Sequence, residues 1–246
     1  MKRVLMTAVV AAGVCGLLAI AADEVTSVNA VGYVKQNLQR GLNLVREDFL
    51  TIDGADATPE KMIGDQLPID TTIYMWNGAT YDKSTYMEIE EFDPGSGGFV
   101  VVDTNWNNAS LMLDPGAGFW VRIPPAAPET TELTLLGEVP NNPTSTIPIG
   151  EGLNLVGSPY PVDVKWVDTD LAQQGEIGDI LYVWNGATYD KSTYMEIEEF
   201  DPGSGGFVVV DTNWNDTNIT IKVGQGFFFK KATGATDWVE TRPYDL

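Results

Sequence analysis

The sequence predicts an all-β fold made of two tandem homologous domains, each a small β-sandwich or barrel with at most a short helix. Two observations lead to this prediction. The 32 residues at 76–107 recur without a single change at 184–215, so the chain carries two copies of one structural unit. Within each copy, short runs rich in aromatic and β-branched residues alternate with turn residues, which is typical of strands joined by tight turns.

The repeat extends beyond the identical block. The segment GLNLV at 41–45 returns at 152–156, and GAGFW at 116–120 returns as GQGFF at 224–228. Because these matches flank the identical block in the same order, the whole domain is duplicated rather than the block alone.

A run rich in proline and asparagine, PNNP at 140–143, is typical of a connection between domains. We therefore expect one β domain at 22–138 and the second at 139–246. Two explanations remain open for the complete identity of the block. It either forms a site that is used twice, or it records a recent copying event between the two gene halves. Copying is favoured because function rarely demands every exposed residue.

Several local patterns predict individual elements. Asn77-Gly78 between two β-rich runs indicates a hairpin with a type I′ turn, in which both residues have positive φ, and Asn185-Gly186 repeats it. Helical signals are limited to Thr58-Pro59-Glu60 and to residues 166–174. Further strands are expected at 86–92, 99–102, 111–113 and 119–121, with a glycine-rich loop at 93–98.

The N-terminus has the features of a signal peptide. Two basic residues at 2–3 precede an apolar run at 4–20, and Ala21 follows it as a small residue suited to cleavage. We therefore expect residues 1–21 to be removed and the protein to be secreted, to the extracellular space or the outer surface of a bacterial cell. A membrane anchor is the alternative. The apolar run is short and acidic residues follow it at once, so we expect no membrane insertion after cleavage.

The mature chain would be strongly acidic. Loss of Lys2 and Arg3 from the 14 basic residues leaves 12 against 35 acidic ones, a net charge near −23. Such a surface gains no counterion release from a polyanion, which argues against binding to nucleic acids or anionic membranes. The chain has no histidine, and its one cysteine, Cys15, lies within the signal peptide. This excludes Ser-His-Asp and Cys-His catalysis and ordinary zinc sites in the mature protein.

Calcium is the cofactor that the sequence allows. Oxygen-bearing side chains occur at alternate positions of DTNWN in both copies, as at the start of a calcium-binding loop. The candidate ligands are Asp103, Asn105, Asn107, Asp211, Asn213 and Asn215. The match then fails, because position six is not glycine, and position twelve is Asp114 in one copy and Lys222 in the other. Asparagine-rich and aspartate-rich turns that bond their own backbone explain the same residues.

Aromatic residues are the second kind of candidate site. Trp106 and Trp214 lie in polar segments that we expect to be turns, so we expect their rings to be exposed. Flat rings beside amide side chains suit the binding of a sugar, whose apolar face stacks on the ring. The candidate ligand-binding residues are Tyr86, Trp106, Asn107, Tyr194, Trp214 and Asn215. The alternative is that these rings belong to the core of a domain that has no disulfide.

A carboxylate pair is the third candidate. Glu88 and Glu90 lie two residues apart on an expected strand, which places their carboxylates roughly 6.5–7 Å apart on one face. That spacing suits an inverting glycosidase. Glu196 and Glu198 repeat the pair. A solvated strand face in an acidic protein accounts for the pair more simply.

The motif order resembles one known group of proteins. GLNLV is followed by YMWNGATYD or YVWNGATYD, then by a turn containing tryptophan, and then by GAGFWV or GQGFFF and TLLGEV. This order resembles uncharacterised secreted tandem-repeat proteins of environmental bacteria, over nearly the whole mature chain. The resemblance implies export and duplicated β domains. It supplies no catalytic residues and no mechanism.

Taken together, these patterns favour a secreted, non-enzymatic protein with a structural or adhesive role at the cell exterior. The expected partners are a glycan or a cell-surface protein. A carbohydrate-binding module that uses exposed turn aromatics is the alternative, and a carboxylate glycosidase is a weaker one.

Overall fold

A computed structural model describes residues 30–245, and its regular structure is almost entirely antiparallel β-sheet. This confirms the predicted all-β class. The expected signal peptide at 1–21 lies outside the described residues.

The first half of the chain contains seven strands and one short helix. In chain order they are β1 (Val31–Gln39), β2 (Gly41–Arg46), α1 (Pro59–Met62), β3 (Thr72–Trp76), β4 (Tyr81–Asp93), β5 (Gly98–Trp106), β6 (Gly118–Ile123) and β7 (Thr130–Glu138). The helix begins with a proline, as the sequence predicts, because the first helical position needs no amide hydrogen.

The second half repeats these elements and adds a small pair of strands. They are β8 (Thr144–Ile149), β9 (Gly152–Val156), β10 (Val164–Lys165), a 3-10 helix (Trp166–Asp168), α2 (Asp170–Gln173), β11 (Ile180–Trp184), β12 (Tyr189–Asp201), β13 (Gly206–Trp214), β14 (Thr220–Ile221), β15 (Phe227–Lys231) and β16 (Thr236–Thr241).

Both halves have the same sheet topology. The first contains a five-stranded sheet in the order β2-β6-β3-β4-β5, and the second contains the equivalent order β9-β15-β11-β12-β13. In each half the first and last strands form a separate antiparallel pair, β1 with β7 and β8 with β16. The duplication in sequence is therefore also a duplication of strand order.

Each half has its own hydrophobic core. The buried members of one core lie between Leu38 and Leu135, and those of the other lie between Ile147 and Trp238. Alternation along the strands accounts for this, since every second residue of a strand faces the same side. On β6, for example, Phe119 and Val121 belong to the first core, while Trp120 points away from it.

A third cluster joins the two halves. Leu44 and Trp120 of the first half pack with their counterparts in the second, Leu155 and Phe228. The backbone contacts around this cluster are reciprocal. Val45 of the first half pairs with Gln225 of the second, and Val156 of the second pairs with Ala117 of the first. Ala117 and Gln225 occupy equivalent positions of the repeat, as do Val45 and Val156. The halves thus meet through an isologous interface like that of a two-fold symmetric dimer.

The Asn-Gly hairpins form, but the predicted turn type is wrong. Trp76 pairs with Tyr81, so the loop between β3 and β4 has four residues rather than two. Gly78 has a φ of 94°, but the φ of Asn77 is not positive, although a type I′ turn requires it to be. The side chain of Asn77 instead accepts hydrogen bonds from the amides of Ala79 and Thr80, at 3.2 and 2.9 Å. This local capping stabilises a longer loop in place of the type I′ turn.

Candidate functional site

The predicted exposure of the two tryptophans is wrong. Trp106 is 4% exposed and Trp214 is 3% exposed. Each is the last residue of a long strand rather than part of a turn, and the alternation of that strand points it inward. Their indole nitrogens donate to backbone oxygens beside the short helices, Trp106 to Gly64 at 2.9 Å and Trp214 to Ala172 at 2.8 Å. Both rings therefore hold a helix against a sheet.

The other predicted ligand-binding residues also have structural contacts. Tyr86 is buried beside Trp106, with 5.5 Å between the ring centroids, and Tyr194 packs on Trp214 at 5.4 Å. The side chains of Asn107 and Asn215 accept hydrogen bonds from the amides of Thr85 and Thr193, at 2.9 and 2.8 Å. These six residues brace the sheets and do not form an open sugar-stacking platform.

The predicted calcium loop is a β-strand. Asp103 and Asn105 lie within β5, and each side-chain oxygen accepts the amide hydrogen of the next residue, at 2.8 and 2.7 Å. Asp211 and Asn213 repeat this on β13, both at 2.8 Å. An extended strand spaces alternate residues roughly 6.5–7 Å apart, too far to surround one ion.

Within residues 30–245, no group of three or more His, Cys, Asp or Glu side chains is placed to hold a metal ion. The expected calcium ligands, including Asn107 and Asn215, lie on strands or at strand ends, where their side-chain oxygens accept backbone amides. Their binding of calcium stays a prediction.

The most exposed apolar surface lies on two β-ribbons. Beyond Tyr86, β4 pairs only with β5, and beyond Tyr194, β12 pairs only with β13. We call these ribbons the arms and define them as residues 87–105 and 195–213. They fall within the identical block of the sequence, so the two arms have the same composition.

Apolar side chains of the arms are largely in solvent. Phe99 is 69% exposed and Phe207, its equivalent, is 70% exposed. The other exposed apolar residues of the first arm are Met87, Ile89, Phe92, Val100, Val101 and Val102. A β-bulge beside Glu90 changes the strand register in the middle of the arm, and the second arm has the same bulge. Bulges increase local twist, so the arms are twisted ribbons rather than flat ones.

The turn at the tip of each arm is well defined. Asp93 accepts a hydrogen bond from the amide of Gly95 at 2.8 Å, and this bond lowers the pKa of the Asp93 carboxyl. Phe92 and Phe99 pack edge to face behind the turn, with 5.7 Å between their centroids. The turn therefore holds the two phenylalanines together at the exposed end.

The arms are also acidic. Residues 87–105 contain five carboxylates and no lysine or arginine. These carboxylates are Glu88, Glu90, Glu91, Asp93 and Asp103. The pair that suggested a glycosidase, Glu88 and Glu90, is thus exposed on one strand of a ribbon.

A second surface feature is a groove lined by aromatic rings, which lies at the junction of the two halves. It consists of two cavities of about 480 and 360 Å³. Tyr81 and Tyr189 line both cavities, so the two cavities adjoin each other. Trp76 closes the junction beside the groove, since its indole nitrogen donates to the backbone oxygen of Leu153 at 2.7 Å.

The sequence holds one signal for this groove. Tyr81 and Tyr189 repeat within the identical block, but nothing in a single strand shows that the two halves face each other. The relevant signal is the repeat of aromatic residues outside the identical block, at Trp120 and Phe228.

A buried ionic cluster lies in the same junction. Arg46 is fully buried and donates to backbone oxygens of the other half, to Ser158 at 2.8 Å and Tyr160 at 3.1 Å. Its Nε lies 2.7 Å from the carboxylate of Asp48. Burial raises the pKa of Asp48 to about 6, although Arg46 opposes this rise.

Glu47 lies beside this ion pair, and no cation of residues 30–245 forms a salt bridge with it. Burial raises the pKa of Glu47 to about 8, against the effect of two backbone amides that donate to its Oε1 at 3.0 Å. Its Oε2 has no hydrogen-bond partner among the described residues. The Glu47 carboxyl is therefore protonated near neutral pH.

Comparison of the chain with family models, with curated proteins and with solved structures found no match. The resemblance to secreted tandem-repeat proteins accordingly stays a prediction. Of the helices within residues 30–245, none has the length and apolar character needed to cross a membrane.

Proposed function

We propose that this is a secreted, non-enzymatic adhesive protein that acts at the cell exterior and captures its partner with the two arms. The arms carry the proposal, because they expose the same set of apolar side chains twice on one chain. Contiguous exposed apolar surface is typical of interaction sites in soluble proteins. The signal-peptide pattern at 1–21 supports secretion.

The backbone of the arms supports recognition by strand addition. Each arm is a two-stranded ribbon in which β4 and β5, or β12 and β13, pair only with each other beyond the sheet. Both edges of the ribbon therefore offer amide and carbonyl groups to an incoming strand. An extended segment that pairs with such an edge gains main-chain hydrogen bonds and places alternate side chains on each face.

Charge defines the chemistry of the partner. With five carboxylates and no cation, an arm repels a second arm and attracts a basic segment. The partner that fits is an extended segment of a cell-surface protein in which lysine or arginine alternates with apolar residues. The apolar side chains of this segment would cover Phe99 and its neighbours, and its lysines or arginines would form ion pairs with Glu90 and Glu91.

Duplication supports an adhesive role in particular. Two identical arms on one chain allow two weak contacts with one surface, and the second contact forms at a high effective concentration. The absence of catalysis is proposed on separate grounds. Glu88 and Glu90, the carboxylate pair whose spacing suits a glycosidase, are both exposed on an arm.

A bead-binding experiment tests the proposal. The probe is a synthetic peptide of alternating lysine and valine, immobilised on beads, and the mature chain is the analyte. We expect binding to this peptide and none to an alternating glutamate and valine peptide. Phe99→Ser together with Phe207→Ser should abolish binding, whereas Phe99→Ser alone should leave weak monovalent binding.

The matched control is Tyr33→Ser, which removes a ring that is 67% exposed on β1, away from the arms. That variant should bind like the parent. Equal binding of the parent and the double arm variant would overturn the proposal. Self-association through the arms, detected by sedimentation, with no peptide binding would replace the basic partner by a second copy of the chain.

A further inference from the structure

We infer that the aromatic groove between the two halves binds a linear, neutral oligosaccharide. This site is separate from the arms and does not depend on their function. The two cavities adjoin at the junction, because Tyr81 of one half and Tyr189 of the other line both of them. Its total size suits a chain of several sugar units rather than a single ring, since one cavity already falls within the range of small-molecule sites.

The two ends of the groove are built from equivalent residues. One cavity contains Leu42, Tyr74 and Trp120, and the other contains Leu153, Tyr182 and Phe228 at the corresponding repeat positions. A groove with the same apolar and aromatic lining on both sides of its centre suits a ligand that itself repeats. A linear oligosaccharide is such a ligand.

The two central rings are held in place by their neighbours. Tyr81 packs edge to face on Trp76, with 5.0 Å between centroids, and Tyr189 packs in the same way on Trp184 at 5.1 Å. Each tyrosine is nevertheless 38% exposed. Rigid, partly exposed rings bind the apolar face of a sugar at little cost in conformational entropy, and their hydroxyl groups can bond to sugar hydroxyls.

Arg122 completes the polar part of the groove. It lines the larger cavity and forms no side-chain hydrogen bond or ion pair with the described residues. The guanidinium groups of the other arginines in the described residues all donate to protein oxygens, so the free donors of Arg122 are distinctive. Its guanidinium presents several N–H donors to the hydroxyl and ring oxygens of a sugar. The strongly negative net charge disfavours a polyanionic sugar, so the ligand is neutral.

Calorimetry with defined oligosaccharides tests this inference. The probes are cellohexaose, chitohexaose and xylohexaose, and decaproline serves as a rival ligand because aromatic grooves also bind proline-rich helices. We expect the mature chain to bind at least one hexaose with one site per chain. Binding of decaproline and of no sugar, or of nothing in the panel, would overturn the inference.

Variants locate the site. Tyr81→Ala with Tyr189→Ala should weaken hexaose binding by about tenfold or more, because two stacking contacts are lost. Tyr81→Phe with Tyr189→Phe keeps the rings and should retain most of the affinity. Arg122→Gln should weaken binding without changing the melting temperature.

Two controls separate this site from the rest of the protein. Tyr33→Ala makes the same change at an exposed tyrosine outside the groove and should leave sugar binding unchanged. Phe99→Ser with Phe207→Ser removes arm function and should also leave it unchanged. If the alanine pair in the groove binds like the parent, the site is elsewhere and the inference fails.

Discussion

Gly226 lies so close to Val45 that a Cβ on the glycine would stand 2.7 Å from the backbone oxygen of Val45. The reciprocal contact is equally tight, with 2.6 Å between a Cβ on Gly118 and the oxygen of Val156. The second glycine of the GxGF motif, which is Gly118 in one half and Gly226 in the other, therefore allows the backbones of the two halves to meet. The repeated motif is a feature of the internal interface.

Replacement of either glycine by alanine should destabilise the protein. Gly118→Ala and Gly226→Ala each force backbone atoms apart, and overpacking of this kind costs about 1–3 kcal/mol. Urea unfolding measures the loss. Gly206→Ala is the matched control, because a Cβ there meets nothing closer than 4.0 Å. A control that loses as much stability as the interface variants would contradict this explanation.

The buried Lys231 and Asp179 of the second half should be coupled. Their charged atoms lie 3.0 Å apart, and both side chains are buried. Lys231→Ile leaves the carboxylate of Asp179 without its cation and should cost about 3–5 kcal/mol. The first half has Ile123 and Thr71 at these positions, so the double change Lys231→Ile with Asp179→Thr should restore much of the loss. Additive losses in a double-mutant cycle would show that the two groups act independently.

The free energy of unfolding should fall as pH rises, because the buried Glu47 carboxyl loses its proton. Burial raises its pKa from the ordinary 4.5 of the unfolded chain to about 8 in the folded protein. The folded state thus binds the extra proton, and this contribution is complete below pH 4.5 and lost as pH passes 8. Between pH 5 and pH 8 the effect amounts to about 3 kcal/mol.

Glutamine variants isolate this effect from general charge repulsion. Glu47→Gln resembles the protonated carboxyl and should flatten the dependence of unfolding free energy on pH. Glu91→Gln removes one carboxylate from an exposed position on an arm and should keep the dependence of the parent. Parallel pH profiles for the two variants would mean that Glu47 is ionised in the folded protein.

Calcium should change the stability of this protein only by screening its net charge, as any salt does. The oxygens of Asp103 and Asp211 accept backbone amides on extended strands. We therefore expect low-millimolar calcium and sodium of equal ionic strength to shift the melting temperature equally, through screening of the net charge. A larger shift with calcium that disappears in Asp103→Ala with Asp211→Ala would restore the metal site.

Local patterns predicted much of the fold. The Asn77-Gly78 hairpin, the proline-initiated helix at Pro59 and the strands of the identical block depend on neighbouring residues, so a single sequence reveals them. The turn type was missed because Asn77 bonds to the amides of its own loop. Several alternatives of similar energy exist for such short loops, and the sequence does not distinguish them.

The candidate sites were harder to predict than the strands. Trp106 was expected in an exposed turn, yet β5 continues through it and turns its ring into the core. The expected strand at 99–102 ends four residues before β5 does, so the alternation that turns Trp106 inward was not predicted. Asp103 and Asn105 lie on the same extension of β5, where their side chains bond to the backbone.

The sequence by itself determined the β class, the duplication of the pattern and the acidity of the chain, because these follow from composition and from local periodicity. Only the tertiary structure decided which aromatics are exposed, how far the arms extend beyond the sheets and how the halves meet. The groove lined by Tyr81 and Tyr189 exists because residues 108 apart in the chain face each other across a reciprocal interface. Contacts of that range depend on the packing of whole sheets, which no local run of residues specifies.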